Sequence, residues 1–267
     1  MKLKLCDAKS LDIVKTFECG QCFRWNSDDR GVYTGVVGRY LANVETVDNE
    51  VYITSDAPAE MWADYFDLAT DYAAVSTDFT GEYLHECIDY GMGIRILRQD
   101  SWEALCSFII SQCNNISRIK GIVERLCEQF GDKCEANGVS YYTFPSAERL
   151  AALEPSDLAG IRSGYRAEYI IAAARAVKTG ELDLDALKTC DYREAIKTLR
   201  QIRGVGEKVA NCVVLFGLYH MEAFPIDVWM KRALKEHFPA DFDPTSLGAY
   251  AGLAQQYIFY YARSGGK

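Results

Sequence analysis

The order of apolar and polar positions divides the chain into two kinds of segment. Up to about residue 55 the apolar residues come in short runs rich in β-branched and aromatic types, at 21–25, 32–37, 40–44 and 50–54. Turn formers separate these runs at 27–31, at Gly38 and at Asp48-Asn49. That spacing predicts an antiparallel meander, with a short helix over 11–17 before it. After Pro58 the apolar spacing changes to three and four residues. Helices are predicted over 59–67, 79–90, 101–112, 116–130, 147–153, 166–178, 192–202, 209–218, 228–238 and 247–262. Gly131 ends one of these and Gly180 supplies the C-cap of another, while Pro155-Ser156 starts a short turn. The pattern predicts an α+β chain that is predominantly helical. A sheet domain over 1–90 packs on a helical domain over 91–267, with Gly91 and Gly93 at the change. At 267 residues and 49% hydrophobic the chain can bury a full core.

One interruption carries chemistry. Between the helices at 192–202 and 209–218 stands Gly204-Val205-Gly206-Glu207-Lys208. Both glycines are expected to allow φ > 0 and close backbone approach. A helix, a tight hairpin and a second helix, over about 192–219, turn the loop amides and a positive helix end outward, which suits a phosphate. Lys208 falls at the start of the second helix, where the dipole and partial burial both disfavour an ammonium and favour the neutral amine of a nucleophile. Taken alone, Lys208 reads as a solvated lysine or a phosphate contact. Asp227, in Phe224-Pro225-Ile226-Asp227-Val228, shifts that balance. A carboxylate fixed at the N-terminus of another helix stays ionised and can offset developing positive charge. The combination is a specific motif.

Composition qualifies this picture. A net charge of −9 and a pI near 5.0 argue against a nucleic-acid partner until the charge is placed. Residues 1–90 hold 7 basic and 17 acidic side chains, residues 91–267 hold 22 and 21, and residues 192–235 hold 8 and 4. The acidity lies in the first third, and the field around the hairpin is positive. No apolar run approaches the eighteen or so residues of a membrane span, and the first residues lack the pattern of a signal peptide. Ten cysteines in such a chain read as free thiols in a reducing compartment, bacterial cytoplasm with its nucleoid or a eukaryotic nucleus. Cys19-x-x-Cys22 is half of a metal or redox motif with no matching second pair, and Cys22 reads more simply as a small apolar core residue. The three histidines are not paired at ligand spacing, and no cysteine follows Cys212. Neither a metal nor a cofactor is expected.

The stretch 203–212 (Arg-Gly-Val-Gly-Glu-Lys-Val-Ala-Asn-Cys), followed by 224–228, resembles the helix–hairpin–helix/Gly-Pro-Asp DNA glycosylases, and within them the 8-oxoguanine branch. Further segments extend the resemblance over nearly the whole chain. Segment 18–25 (Glu-Cys-Gly-Gln-Cys-Phe-Arg-Trp) implies that the Gly20 carbonyl accepts the N7 hydrogen that 8-oxoguanine has and guanine lacks. Segment 107–118 resembles the one that enters the gap left by an extruded base. It implies Asn114 near the opening and Arg118 on the edge of the opposite cytosine, whose acceptors its donors match. Cys113 stands where an asparagine is usual, which leaves the strictness of opposite-base selection open. Segment 164–169 implies Tyr165 as an aromatic wedge, against the plainer alternative of core packing, and Arg166 as a second reader of the opposite base. Segment 251–259 implies that Gln255 binds the Watson–Crick edge and Phe259 stacks on the base; four apart, they share a helical face. By the same resemblance Cys212 is the other wall of the base sandwich, Pro225 lines the base site, and Gly204 and Gly206 touch DNA. Trp229 takes the place of a common phosphate-contacting histidine.

The implied protein is a monomeric glycosylase and abasic-site lyase acting on double-stranded DNA with oxidised guanine, without a membrane. The base is extruded, Lys208 attacks C1′, and the resulting Schiff base permits β-elimination. Two rivals remain. A sister enzyme for alkylated purines often lacks the hairpin lysine. A non-enzymatic hairpin module would need neither Asp227, Gln255 nor Phe259, and would carry a basic surface throughout.

Overall fold

The structure is a computed structural model and describes residues 1–265; the last two residues of the expected helical domain, 266 and 267, lie outside it. Five antiparallel strands, β1 (Lys2–Asp7), β2 (Trp25–Ser27), β3 (Tyr33–Val37), β4 (Tyr40–Val47) and β5 (Glu50–Ser55), form one sheet in the order β1-β5-β4-β3-β2. Asp48 and Asn49, at φ 50° and 65°, make the left-handed pair that closes a two-residue hairpin between β4 and β5. The edge strand β1 was not predicted. It pairs with β5 from Lys2↔Thr54 onward, a partner too distant in sequence for local pattern to reveal. The expected strand at 21–25 is mostly loop, with only Trp25 in the ladder. Gly20 turns the chain at φ +82°, and the buried Gln21 carboxamide replaces ladder bonds. Its Nε2 donates to the carbonyls of Thr16 (3.0 Å) and Arg95 (2.8 Å), and its Oε1 accepts from the Leu97 amide (2.9 Å).

Between β1 and β2 runs α1 (Ile13–Glu18), capped by Asp12, and after the sheet come α2 (Ala59–Tyr65), α3 (Tyr72–Ser76) and α4 (Glu82–Gly91). The helical part then holds α5 (Ser101–Ser111) and α6 (Ile116–Phe130), followed by a small hairpin of β6 (Lys133–Ala136) and β7 (Val139–Tyr142). Next come α7 (Ala147–Ala151), a 3₁₀ turn (Pro155–Ile161), α8 (Arg166–Thr179), α9 (Leu184–Leu187), α10 (Tyr192–Leu199), α11 (Glu207–Phe216) and α12 (Val228–His237). A second 3₁₀ turn (Pro244–Tyr250) leads into α13 (Ala251–Ser264). The β6–β7 hairpin, α3 and α9 were not predicted. The fold is α+β and predominantly helical, with the sheet at the N-terminal end and a helix–hairpin–helix in the helical part. No described helix is long and apolar enough to cross a membrane.

Two apolar clusters interlock. Leu11, Phe17, Trp25, Trp62, Phe66 and Leu97 centre the sheet core, with Phe17 stacked on Trp25 at 4.4 Å. The helical core gathers around α5, whose residues Ala104 to Ile110 are all buried, and α11 packs beside it. Helices α3 and α4 contribute to this second core while Leu97 reaches back into the first, so the chain crosses between them more than once. A polar seam joins the two. Arg95, only 4% exposed, donates to the carbonyls of Ser10, Phe66, Asp67 and Thr70. The buried Asp67 carboxylate accepts from Tyr72 (2.9 Å), from Arg98 (3.0 Å) and from the Tyr219 hydroxyl.

Candidate active site

The hairpin forms as the sequence demands, with one difference. Gly204 has φ +86°, and a β-carbon there would lie 2.1 Å from Tyr169 Cγ, so both its conformation and its packing require glycine. Gly206 does not share this role: at φ −90° and ψ 179° it is ordinary extended backbone, the N-cap of α11, with open space around it. Helix α10 also ends earlier than expected, at Leu199, because 200–203 already turn toward the hairpin.

Lys208 lies in the first turn of α11, half-buried, with Nζ 5.5 Å from the centroid of the buried Phe108 ring. One turn on, Cys212 is buried at 3% exposure. Burial pushes its thiol up, the Lys208 ammonium pulls it back, and the Asp227 carboxylate pushes it up again, which places all three groups in one neighbourhood. Asp227 caps α12: its carboxylate accepts from the Met230 amide at 2.9 Å, and Pro225, two residues before it, is buried.

The other residues expected to hold the base come from α13 and the loop before β2. A β-carbon on Gly20 would lie 3.6 Å from Phe259, Ile116 and Arg263, so Gly20 and Phe259 face each other although 239 residues apart. Gln256 donates to the Cys19 carbonyl at 2.8 Å and Arg263 donates to the Glu18 carbonyl, fastening α13 to this loop. Gln255 is 4% exposed and its Oε1 has no partner among the described residues. Arg263 was missed in the sequence because the helix was drawn only to 262; its position four residues after Phe259 was the available signal. Cys19 and Cys22 are core thiols, the former pushed up to about 11 by burial and the latter well above its ordinary value, which disfavours the thiolate a metal needs.

The loop from Gln112 to Asn115 and the start of α8 form a third group. Arg118 is exposed on the first turn of α6, and Asn114 is half-buried with its Nδ2 on the Ile110 carbonyl (3.2 Å). Tyr165 is 52% exposed at the start of α8, so the core-packing alternative is set aside, and its ring meets Tyr169 edge-on at 5.6 Å. Arg166 departs from its expected place. Its guanidinium is 4% exposed and donates to the carbonyls of Gln112, Cys113 and Ser163, so it fastens the loop and is not presented outward. Gln112 was not singled out in the sequence, yet its Nε2 donates to the Gly204 carbonyl at 3.0 Å, joining loop to hairpin.

A helix–hairpin–helix with a first-turn lysine, followed by an aspartate that caps the next helix, is the arrangement of a base-excision DNA repair protein. The 8-oxoguanine DNA glycosylase N-terminal domain model matches residues 4–105, and the HhH-GPD superfamily base excision DNA repair protein model matches residues 106–252. The structure of MBOgg1 in complex with a low-affinity DNA ligand superposes with a TM-score of 0.91 at 39% identity, covering 100% of this chain and 96% of that one. The Clostridium acetobutylicum 8-oxoguanine glycosylase/lyase, bound to double-stranded DNA with cytosine opposite 8-oxoG, gives 0.90 at 34% identity over 100% and 99%. A DNA-3-methyladenine glycosylase of Bacillus subtilis is 33% identical over 71% of this chain and 68% of its own. The chain belongs to the 8-oxoguanine DNA glycosylase branch of the HhH-GPD superfamily.

Proposed function

We propose that the protein removes 8-oxoguanine from duplex DNA and then cleaves the strand at the abasic site, acting as glycosylase and lyase in one chain. The observation that carries this reading is Lys208 in the first turn of the second hairpin helix, with Asp227 capping the next helix and the buried Cys212 thiol influenced by both groups. Extrusion of the base costs a few kcal/mol. Tyr165 as wedge and Asn114 and Arg118 at the vacated position stabilise the extruded state, while Gly204 and Gly206 bring the hairpin to the phosphates. Cys212, Pro225 and Phe259 enclose the base, the Gln255 oxygen accepts from its Watson–Crick edge, and the Gly20 carbonyl accepts from N7–H. The Lys208 amine attacks C1′, and the glycosidic electron pair leaves with the base. Asp227 offsets the positive charge that develops on the sugar. Ring opening gives a Schiff base on Lys208, and loss of a C2′ proton expels the 3′ phosphate. The alkylated-purine reading, which the names of several relatives support, is disfavoured by Lys208 itself.

Borohydride trapping on duplexes with 8-oxoguanine opposite each of the four bases tests this proposal. Wild type is expected to form an adduct, strongest opposite cytosine, and Lys208→Gln to bind DNA without forming one. An adduct that survives Lys208→Gln removes the assignment. Equal trapping opposite all four bases would mean that Cys113 has loosened opposite-base selection.

A further inference from the structure

Two buried polar atoms on one face of α13 have no hydrogen-bond partner among the described residues: Gln255 Oε1 and Arg263 Nη1. Phe259 lies between them, and successive spacings of four place the three side chains along a single ridge. The Arg263 guanidinium is held in position. One nitrogen donates to the Glu18 carbonyl, and its carbon lies 5.5 Å from the Phe259 ring centroid. Nη1 lies 3.6 Å from where a Gly20 β-carbon would stand. Leaving a buried guanidinium nitrogen without an acceptor is costly, and a ligand that supplies one removes the cost.

We propose that Arg263 Nη1 donates a hydrogen bond to the C6 carbonyl oxygen of the extruded purine, so that the pocket selects guanine-derived over adenine-derived bases. The inference rests on the glycosylase reading above. Around the rim of 8-oxoguanine, O6 lies between N1–H and N7–H. Gln255 Oε1 and the Gly20 carbonyl are both acceptors, matched to those two hydrogens. A donor on the same ridge as Gln255 and beside Gly20 therefore faces O6. 8-Oxoadenine keeps N7–H and the C8 carbonyl but turns a 6-amino group toward Arg263, setting donor against donor.

The test compares single-turnover excision of 8-oxoguanine and 8-oxoadenine, each opposite cytosine, by wild type, Arg263→Met and Arg263→Lys. Borohydride trapping at a preformed abasic site, which has no base to bind, runs beside it. Arg263→Met is expected to slow 8-oxoguanine excision by about tenfold or more, the effect of losing a charge-assisted hydrogen bond, and to narrow the preference over 8-oxoadenine by a similar factor. Arg263→Lys should fall between, and abasic-site trapping should persist in both. Equal losses on the two bases would overturn the inference, because Arg263 would then only hold the Glu18 carbonyl and the Gly20 loop; so would no loss on 8-oxoguanine. If Arg263→Met loses trapping, the base preference of Arg263→Lys decides by the same criterion. A wild type that neither excises nor traps would remove the glycosylase reading, and this inference with it.

Discussion

Asp227 serves two physical roles that substitution can separate. Its carboxylate caps α12 through the Met230 amide, and its charge faces the same neighbourhood as Lys208. Asparagine caps a helix about as well as aspartate but carries no charge. Asp227→Asn should therefore leave the thermal midpoint near wild type while excision falls by about a hundredfold or more, the scale of losing a preorganised electrostatic group. Asp227→Ala should add a stability loss of about 1 kcal/mol, read by urea denaturation. The types and spacing of Lys208, Asp227, Gln255 and Phe259 were legible because a motif encodes them locally. Arg166 shows what was not. Its identity fits a base contact, but whether an arginine at a helix start faces outward or folds onto carbonyls depends on where a loop more than fifty residues earlier passes.

At the scale of elements, the hairpin sorts its two glycines. Gly204→Ala forces a β-carbon into the Tyr169 ring at φ +86°, and should lower stability by more than about 1 kcal/mol in urea denaturation. Gly206→Ala meets open space at φ −90° and should fold normally. On the proposed function its added methyl stands where the hairpin would meet the phosphates, so the measurable effect should be weaker duplex binding. Periodicity gave α6 to the residue, because one apolar face and a closing glycine sufficed. The β6–β7 hairpin escaped although Asn137-Gly138 supplies a two-residue turn with φ 51° and 75°. Its strands are short and only partly covered, so they show little apolar alternation.

At the scale of the whole molecule, the polar seam holds sheet and helices together. Asp67→Ala removes the acceptor shared by Tyr72, Arg98 and Tyr219, and should lower stability by about 1–3 kcal/mol, chiefly by leaving the buried Tyr72 hydroxyl without a partner while Arg98 can turn to water. Calorimetry should still show one transition, since the two cores interlock. The seam has a further consequence for how lesions are told apart. Beyond the seam, Gly20 packs against Phe259, and Gln256 and Arg263 pin the loop before β2 to α13 at Cys19 and Glu18. Under the proposed function the base is therefore read at a join that is fastened before it arrives. On that reading an undamaged guanine finds no match at Gly20 and leaves before the chemistry begins. Fidelity then resides in dwell time.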